Sequence, residues 1–186
     1  MYRGCGHAEQ EVEKRLSCCE ASMGYTTCIL HTLAHGQELV DRNGWFQALQ
    51  RHVHTTEYPD ALVRAVIAKN FPVLGSIISS YEDQIESAFA RRDLVSLIHR
   101  TAAWLDSYFD IVFAVNRQYH PGEKRLLAQA ARLPTYPTNM VDDLTKACWT
   151  VCDLKNCVAD HLKNTRESLA AWLQAQGQPM TGQTGM

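Results

Sequence analysis

Between Leu94 and Val115 apolar residues recur as Leu94, Leu97, Ile98, Leu105, Tyr108, Val112 and Val115, with Trp104 and Ile111 widening the stripe. Steps of three and four are the period of an α-helix. A helix apolar over so much of its circumference has to be surrounded, so this segment predicts the central member of a helical bundle. Pro121, which lacks an amide donor, and Gly122, which permits a turn, predict its end. Leu74, Ile77, Ile78, Tyr81, Ile85, Ala88 and Phe89 predict a preceding helix on one stripe. A shorter helix is predicted from Glu123 to about Arg132, ended by Pro134 and Pro137.

The last helix is predicted to run unbroken through Val141, Leu144, Cys148, Val151, Lys155, Val158, Leu162, Thr165, Leu169 and Trp172. Such a repeat suits a helix nearly antiparallel to its neighbours, with Lys155 and Thr165 interrupting the contact. Asn139 is its predicted N-cap, with Asp142 and Asp143 in the first turn, where the helix dipole favours acids. No strand alternation and no internal repeat is present. The expected fold is all-α, an antiparallel bundle of five to six helices. Residues 41–175 form the bundle and residues 176–186 a disordered tail. Residues 1–40 are an irregular N-terminal segment with a short helix between Gly24 and His35.

The chain of 186 residues suffices for one core. Its formal net charge of -2 excludes a strongly basic nucleic-acid platform. No run approaches the ~18 apolar residues that span a bilayer, and the first twenty residues lack a signal-peptide core. The expectation is a soluble, cytoplasmic protein that binds neither nucleic acid nor membrane. Seven cysteines, an odd number without an export signal, predict free thiols over a disulfide framework.

The junction after the central helix, NRQYHPGEKRL from Asn116 to Leu126, carries more polar groups than a stop signal needs. Leu105, Phe109, Val112 and Asn116 share one helical face, so the Asn116 amide must find partners. It either ties down a neighbouring loop or serves a site. Asp106, Asp110, Phe113 and Arg117 form a second stripe, which reads as a solvated face with an ion pair or as the edge of a substrate cleft. Cys148, Cys152, Cys157 and His161 invite a zinc reading. On one straight helix, at ~100° per residue, the first two face away from the last two, which denies them a common site. Cys148 falls on the stripe and reads as a small buried residue. Cys28, His31 and His35 share a face, but three such groups do not define a metal site, and their role stays open. No metal ligand is assigned.

The stretch VFAVNRQYHPGEKRL, Val112 to Leu126, resembles the helical C-terminal domain of bacterial polymerase-β-like, antibiotic-type nucleotidyltransferases, including members described only as domains of unknown function. In that family an apolar helix ends in Asn-Arg, then an aromatic and a proline, then a lysine opening the next helix. The likeness extends back through ELVDRNGWFQAL (Glu38 to Leu49) and TEYPDAL (Thr56 to Leu62), and covers roughly residues 25–137. His120 departs from the pattern.

The resemblance implies that a catalytic half precedes such a domain and holds Mg²⁺ on paired aspartates after a Gly-Ser turn. No Asp-x-Asp occurs here. Gly75-Ser76 falls in a helical pattern, Asp142-Asp143 are adjacent at a helix start, and Asp41 lies in the approach to the bundle. The implied reading is the substrate-binding half of a truncated or split enzyme, with residues 1–40 a remnant of the preceding domain. A catalytic domain elsewhere, or a partner chain, supplies the missing part. The parent transfers a nucleoside monophosphate from a Mg-nucleotide to a small-molecule acceptor. This chain holds no cofactor of its own and is inactive alone.

By resemblance Lys124 reaches the nucleotide phosphates, and Arg117 holds a phosphate or the Pro-Gly turn. Asp106 orients or deprotonates the acceptor, and Tyr119 stacks on a base or packs, with Asn116 and Asp110 beside them. The alternative is a standalone helical interaction module that forms a homodimer or joins a separate catalytic subunit. Related bundles also act as ribonucleases through an Arg and a His spaced further apart than Arg117 and His120, which disfavours that chemistry.

Overall fold

In the computed structural model, residues 4–41, 43–152 and 156–180 are described. Among them the chain is all-α, with no strand. The central helix α6 (Leu94–Val115) spans the segment its apolar stripe predicts, and Trp104, Tyr108, Ile111 and Val112 are fully buried on it. It lies against α4 (Asp60–Gly75) and α5 (Tyr81–Ala90). The antiparallel pair α8 (Met140–Cys152) and α9 (Val158–Ala175) completes the bundle, with α9 packed on α5 and α4. α7 (Leu126–Ala130) is a short helix after the junction. A second, smaller apolar cluster forms from α1 (Gly4–Leu16), α2 (Cys28–His35) and α3 (Trp45–Thr55) around Val12, Leu16, Leu30, Leu33 and Val53. No helix among the described residues is long and apolar enough to cross a membrane.

Four local expectations change. The stripe from Leu74 to Phe89 is two helices, because α4 ends at Gly75 and Ser80 opens α5 with a capping box. The Ser80 hydroxyl accepts from the Asp83 amide at 3.3 Å, and the Asp83 carboxylate accepts from the Ser80 amide at 3.1 Å. Ile77 and Ile78 are left in the connecting turn, 48% and 96% exposed. The predicted last helix is likewise two, and its Lys155 lies outside the described residues. Val151 and Val158 keep the heptad phase across the break and are both buried, so periodicity carries no trace of the turn. Cys148, expected to be buried, is exposed. With the helix broken, the straight-helix argument about Cys148, Cys152, Cys157 and His161 loses its premise.

The end of α6 is the third change. Pro121 and Gly122 do not stop it; Arg117 does, in the left-handed region at φ 53°. The Arg117 amide donates to the Ala114 carbonyl at 2.9 Å and the Gln118 amide to the Phe113 carbonyl at 3.0 Å. That pair of bonds is a Schellman closure, here with an arginine where glycine is usual. The fourth is the helix expected from Glu123, which starts only at Leu126, after Arg125 at φ 54°. Of the C-terminal tail, residues 181–186 lie outside the described set, and Met180 packs against the main core.

Candidate functional site

Where α6, α7 and α8 diverge they enclose a groove of about 890 Å³. Its walls are apolar: Leu105 and Phe109 from α6, Leu126 and Leu127 from α7, Val141 and Leu144 from α8. One end is polar, lined by Tyr25, Asp106 and Glu123, with Arg125 also in the lining. A mostly apolar concavity with a few convergent polar groups is the usual form of a small-molecule site.

The polar end is set by a close backbone approach. Gly24 is buried at φ 68°, and a Cβ there would lie 2.9 Å from the Asp106 Cβ. Its amide donates to Asn70 Oδ1 at 2.9 Å. The next residue, Tyr25, then reaches Asp106, its hydroxyl donating to Oδ1 at 2.7 Å. Burial, then the Asp106 hydrogen bond, pushes the Tyr25 phenol well above its usual range. Burial also raises the Asp106 carboxyl, opposed by the Tyr25 hydrogen bond and reinforced by the charge of Glu123. A carboxylate so raised is a better proton acceptor than a solvated one. Gly24→Ala combines a positive φ with a clash against the Asp106 Cβ, an atom fixed to the helix, and should cost roughly 2–3 kcal/mol. Urea denaturation of the variant measures it, and an unchanged midpoint would contradict the close approach.

Asp110 lies one turn further along α6, but not in the groove. It is 2% exposed and accepts from the Thr26 amide at 3.0 Å, the Thr26 hydroxyl at 2.6 Å and Asn70 Nδ2 at 3.3 Å. Asp110 therefore clamps the 22–27 loop that carries Tyr25. Burial outweighs these donors and pushes its carboxyl up to about 7.

The junction residues take separate tasks. Asn116 ties down the chain before α8: its Nδ2 donates to the Thr135 carbonyl at 2.8 Å and its Oδ1 accepts from the Thr135 amide at 3.2 Å. Arg117 turns outward and pairs with Asp60 at 2.6 Å, both side chains being more than half exposed. Tyr119 donates to the Val53 carbonyl at 3.2 Å and its ring tilts against Tyr58. Lys124 is exposed, and its amine has no partner among the described residues. It stands in the turn between Glu123 and Arg125, both of which line the groove. Arg117 and Lys124 thus do not converge on one cavity, and neither side chain is part of the lining of the groove.

His120 is fully buried; its amide donates to Thr27 Oγ1 at 2.8 Å and its Nδ1 accepts from the Gly122 amide at 3.1 Å. Burial, then the charge of His31, pushes its pKa down to about 4, so the ring stays neutral.

A second cavity of about 410 Å³ lies between α2, the junction and the loop after α7. His31 and His35 line it with their rings stacked 4.2 Å apart, facing Phe113, Tyr119 and Arg132. The His35 Nδ1 contacts the His31 carbonyl at 2.9 Å, and Cys28 is a free thiol. Among the described residues no group of three or more His, Cys, Asp or Glu is placed to hold a metal ion.

Tyr25, Thr26, Asn70 and Glu123 are the groups that sequence reasoning passes over. Tyr25 is 81 residues from Asp106 and carries no local signal. Asn70 does carry one: it is a lone amide among Val66, Ile67, Phe71 and Leu74, on the buried side of α4. No curated protein and no solved structure matches the chain. Residues 24–126, which begin at the glycine that seats the polar loop and end on the groove wall at Leu126, match the family described as a domain of unknown function, DUF4037, and the chain belongs to that family.

Proposed function

We propose that this chain is the substrate-binding domain of a nucleotidyltransferase-like protein, and that the groove between α6, α7 and α8 holds the small-molecule acceptor. The carrying observation is the groove itself, an apolar trough closed at one end by the Tyr25–Asp106 pair. In this reading Asp106, with its raised carboxyl, orients or deprotonates the acceptor. Lys124, an exposed ammonium in the turn between the lining residues Glu123 and Arg125, meets the phosphates of a nucleotide presented by a catalytic half outside this chain. Asn116, Asp110 and Tyr119 support that geometry by fixing the loops around it, and Arg117 does so by closing α6. Mg²⁺ belongs to the catalytic half, whose paired aspartates have no counterpart in this sequence.

The test is binding of a fluorescent Mg-nucleotide, followed by polarisation. Lys124→Ala is expected to weaken it roughly fivefold, the scale of one solvent-exposed charge contact. Transfer of labelled nucleotide by the purified chain alone would refute the division of labour, and binding indifferent to Lys124 would remove the nucleotide from this surface.

The second reading, an interaction module that dimerises or joins a catalytic subunit, is supported by apolar side chains left in solvent. Ile78, Val95 and Trp149 are 96%, 78% and 74% exposed. Light scattering that finds a stable dimer, abolished by Trp149→Lys, would favour it.

A further inference from the structure

The groove's two ends ask for different chemistry. Its walls offer only hydrocarbon over the length of an aromatic or alkyl group. Its polar end offers acceptors in excess. Asp106 receives one hydrogen bond, from Tyr25 on Oδ1, and its Oδ2 has no partner among the described residues. Glu123 has neither a hydrogen bond nor an ion pair there. Asp106 and Glu123 line the same groove, and the charge of Glu123 disfavours ionisation of Asp106. Arg125 shares the lining but pairs with neither. A neutral hydroxyl would donate one bond and leave the repulsion in place, and an anion would add to it. A cation seated between the carboxylates relieves it. With only two carboxylates and apolar walls the end is too poor in ligands for a metal ion, consistent with the lack of any three-ligand group among the described residues.

We propose that the groove binds an amphipathic amine, its ammonium held between Asp106 and Glu123 and its apolar body laid along Leu105, Phe109, Leu126 and Leu144. This rests on the acceptor reading above and adds the class of acceptor; the ammonium is an anchor, and the atom that receives the nucleotide is not assigned. Tyr25 is a positioning residue, since its bond to Oδ1 leaves Oδ2 turned to the ligand.

Titration calorimetry of the full chain at neutral pH with naphthylmethylamine, naphthylmethanol and naphthoate tests this. The amine is expected to bind at least tenfold more tightly than the alcohol, and naphthoate not measurably. Glu123→Gln, an exposed change that spares the core, should reduce the preference for the amine while leaving the alcohol and the melting temperature unchanged. Asp106→Asn should reduce it further. Equal binding of amine and alcohol would overturn the amine assignment and leave an apolar acceptor site standing. Binding of none of the three would overturn both. Amine preference in a chain whose nucleotide binding ignores Lys124 would uphold the amine site while removing the nucleotidyltransferase reading.

Discussion

Asp110→Ala is expected to lower the free energy of unfolding by about 3–5 kcal/mol, among the largest effects of any single change in the chain. The carboxylate gathers the Thr26 amide, the Thr26 hydroxyl and the Asn70 amide in a site closed to water. Alanine leaves the Thr26 amide buried without an acceptor, at ~1–3 kcal/mol, and takes one bond, about 1 kcal/mol each, from the Thr26 hydroxyl and the Asn70 amide, which keep the Ser22 and Val66 carbonyls. Asp110→Asn keeps an acceptor oxygen and should cost less. The pair also isolates a pH effect. The folded pKa, about 7, lies above the ordinary 3.8. Between those values the folded state holds a proton that the unfolded state has lost, so the contribution is complete below the lower value and vanishes as pH rises through the upper one. The melting temperature of the native chain should therefore fall, relative to Asp110→Asn, from near pH 4 to near pH 7. A difference that is flat over this range would show the carboxylate to be ionised throughout.

Trp104→Ala is the second, with an expected loss of about 3–5 kcal/mol, the usual range for removing a fully buried indole. Trp104 is among the largest fully buried side chains and stacks on Tyr108 with ring centroids 5.1 Å apart. It also donates to Glu82 Oε1 at 3.4 Å, an oxygen that accepts from Arg166 Nε at 2.8 Å. The change thus opens a cavity on the central helix and removes a donor from a carboxylate that joins α5 to α9. Trp104→Phe refills most of the space without the donor, so the difference between the two variants in urea denaturation separates packing from polar support. The Glu82–Arg166 pair lies directly over Gly75, where any Cβ would displace it. The end of α4 and the part-buried ion pair occupy the same few ångströms.

The fold was legible where burial writes a period into the residues. α6 runs from Leu94 to Val115 as its stripe demands, because a helix enclosed on most sides must be apolar on most sides. Breaks were legible only where the turn disturbs the phase. The gap between α8 and α9 preserves it, and Ile77 and Ile78 continue it by coincidence while standing in solvent. Proline and glycine, the familiar punctuation, point to Pro121 and Gly122 as the end of α6, whereas a left-handed Arg117 supplies the closure. Of the candidate site, Asp106 lines the groove, and Lys124 lies in the turn between the lining residues Glu123 and Arg125 without joining them. Asp110, Asn116 and Arg117 hold chain segments in place. Polarity in a helix does not distinguish these tasks, since a buried amide is bound to be satisfied whichever one it serves. Tyr25 was invisible because its importance comes from a glycine seated against a distant helix, a tertiary fact.

The small cluster of α1–α3 and the large core are separate apolar bodies, and the loop between α1 and α2 reaches across to α6 through Tyr25. Few side chains hold the small cluster together, so it can come loose as a unit while the main bundle remains closed. Such a partial opening would draw the phenol away from Asp106 only where it also breaks the Asp110 clamp on Thr26, and would leave the groove walls untouched. Occupancy of the trough and the state of the N-terminal helices are then thermodynamically linked: a guest that needs the phenol steadies them, and anything that clasps those helices from outside sharpens the trough for its guest.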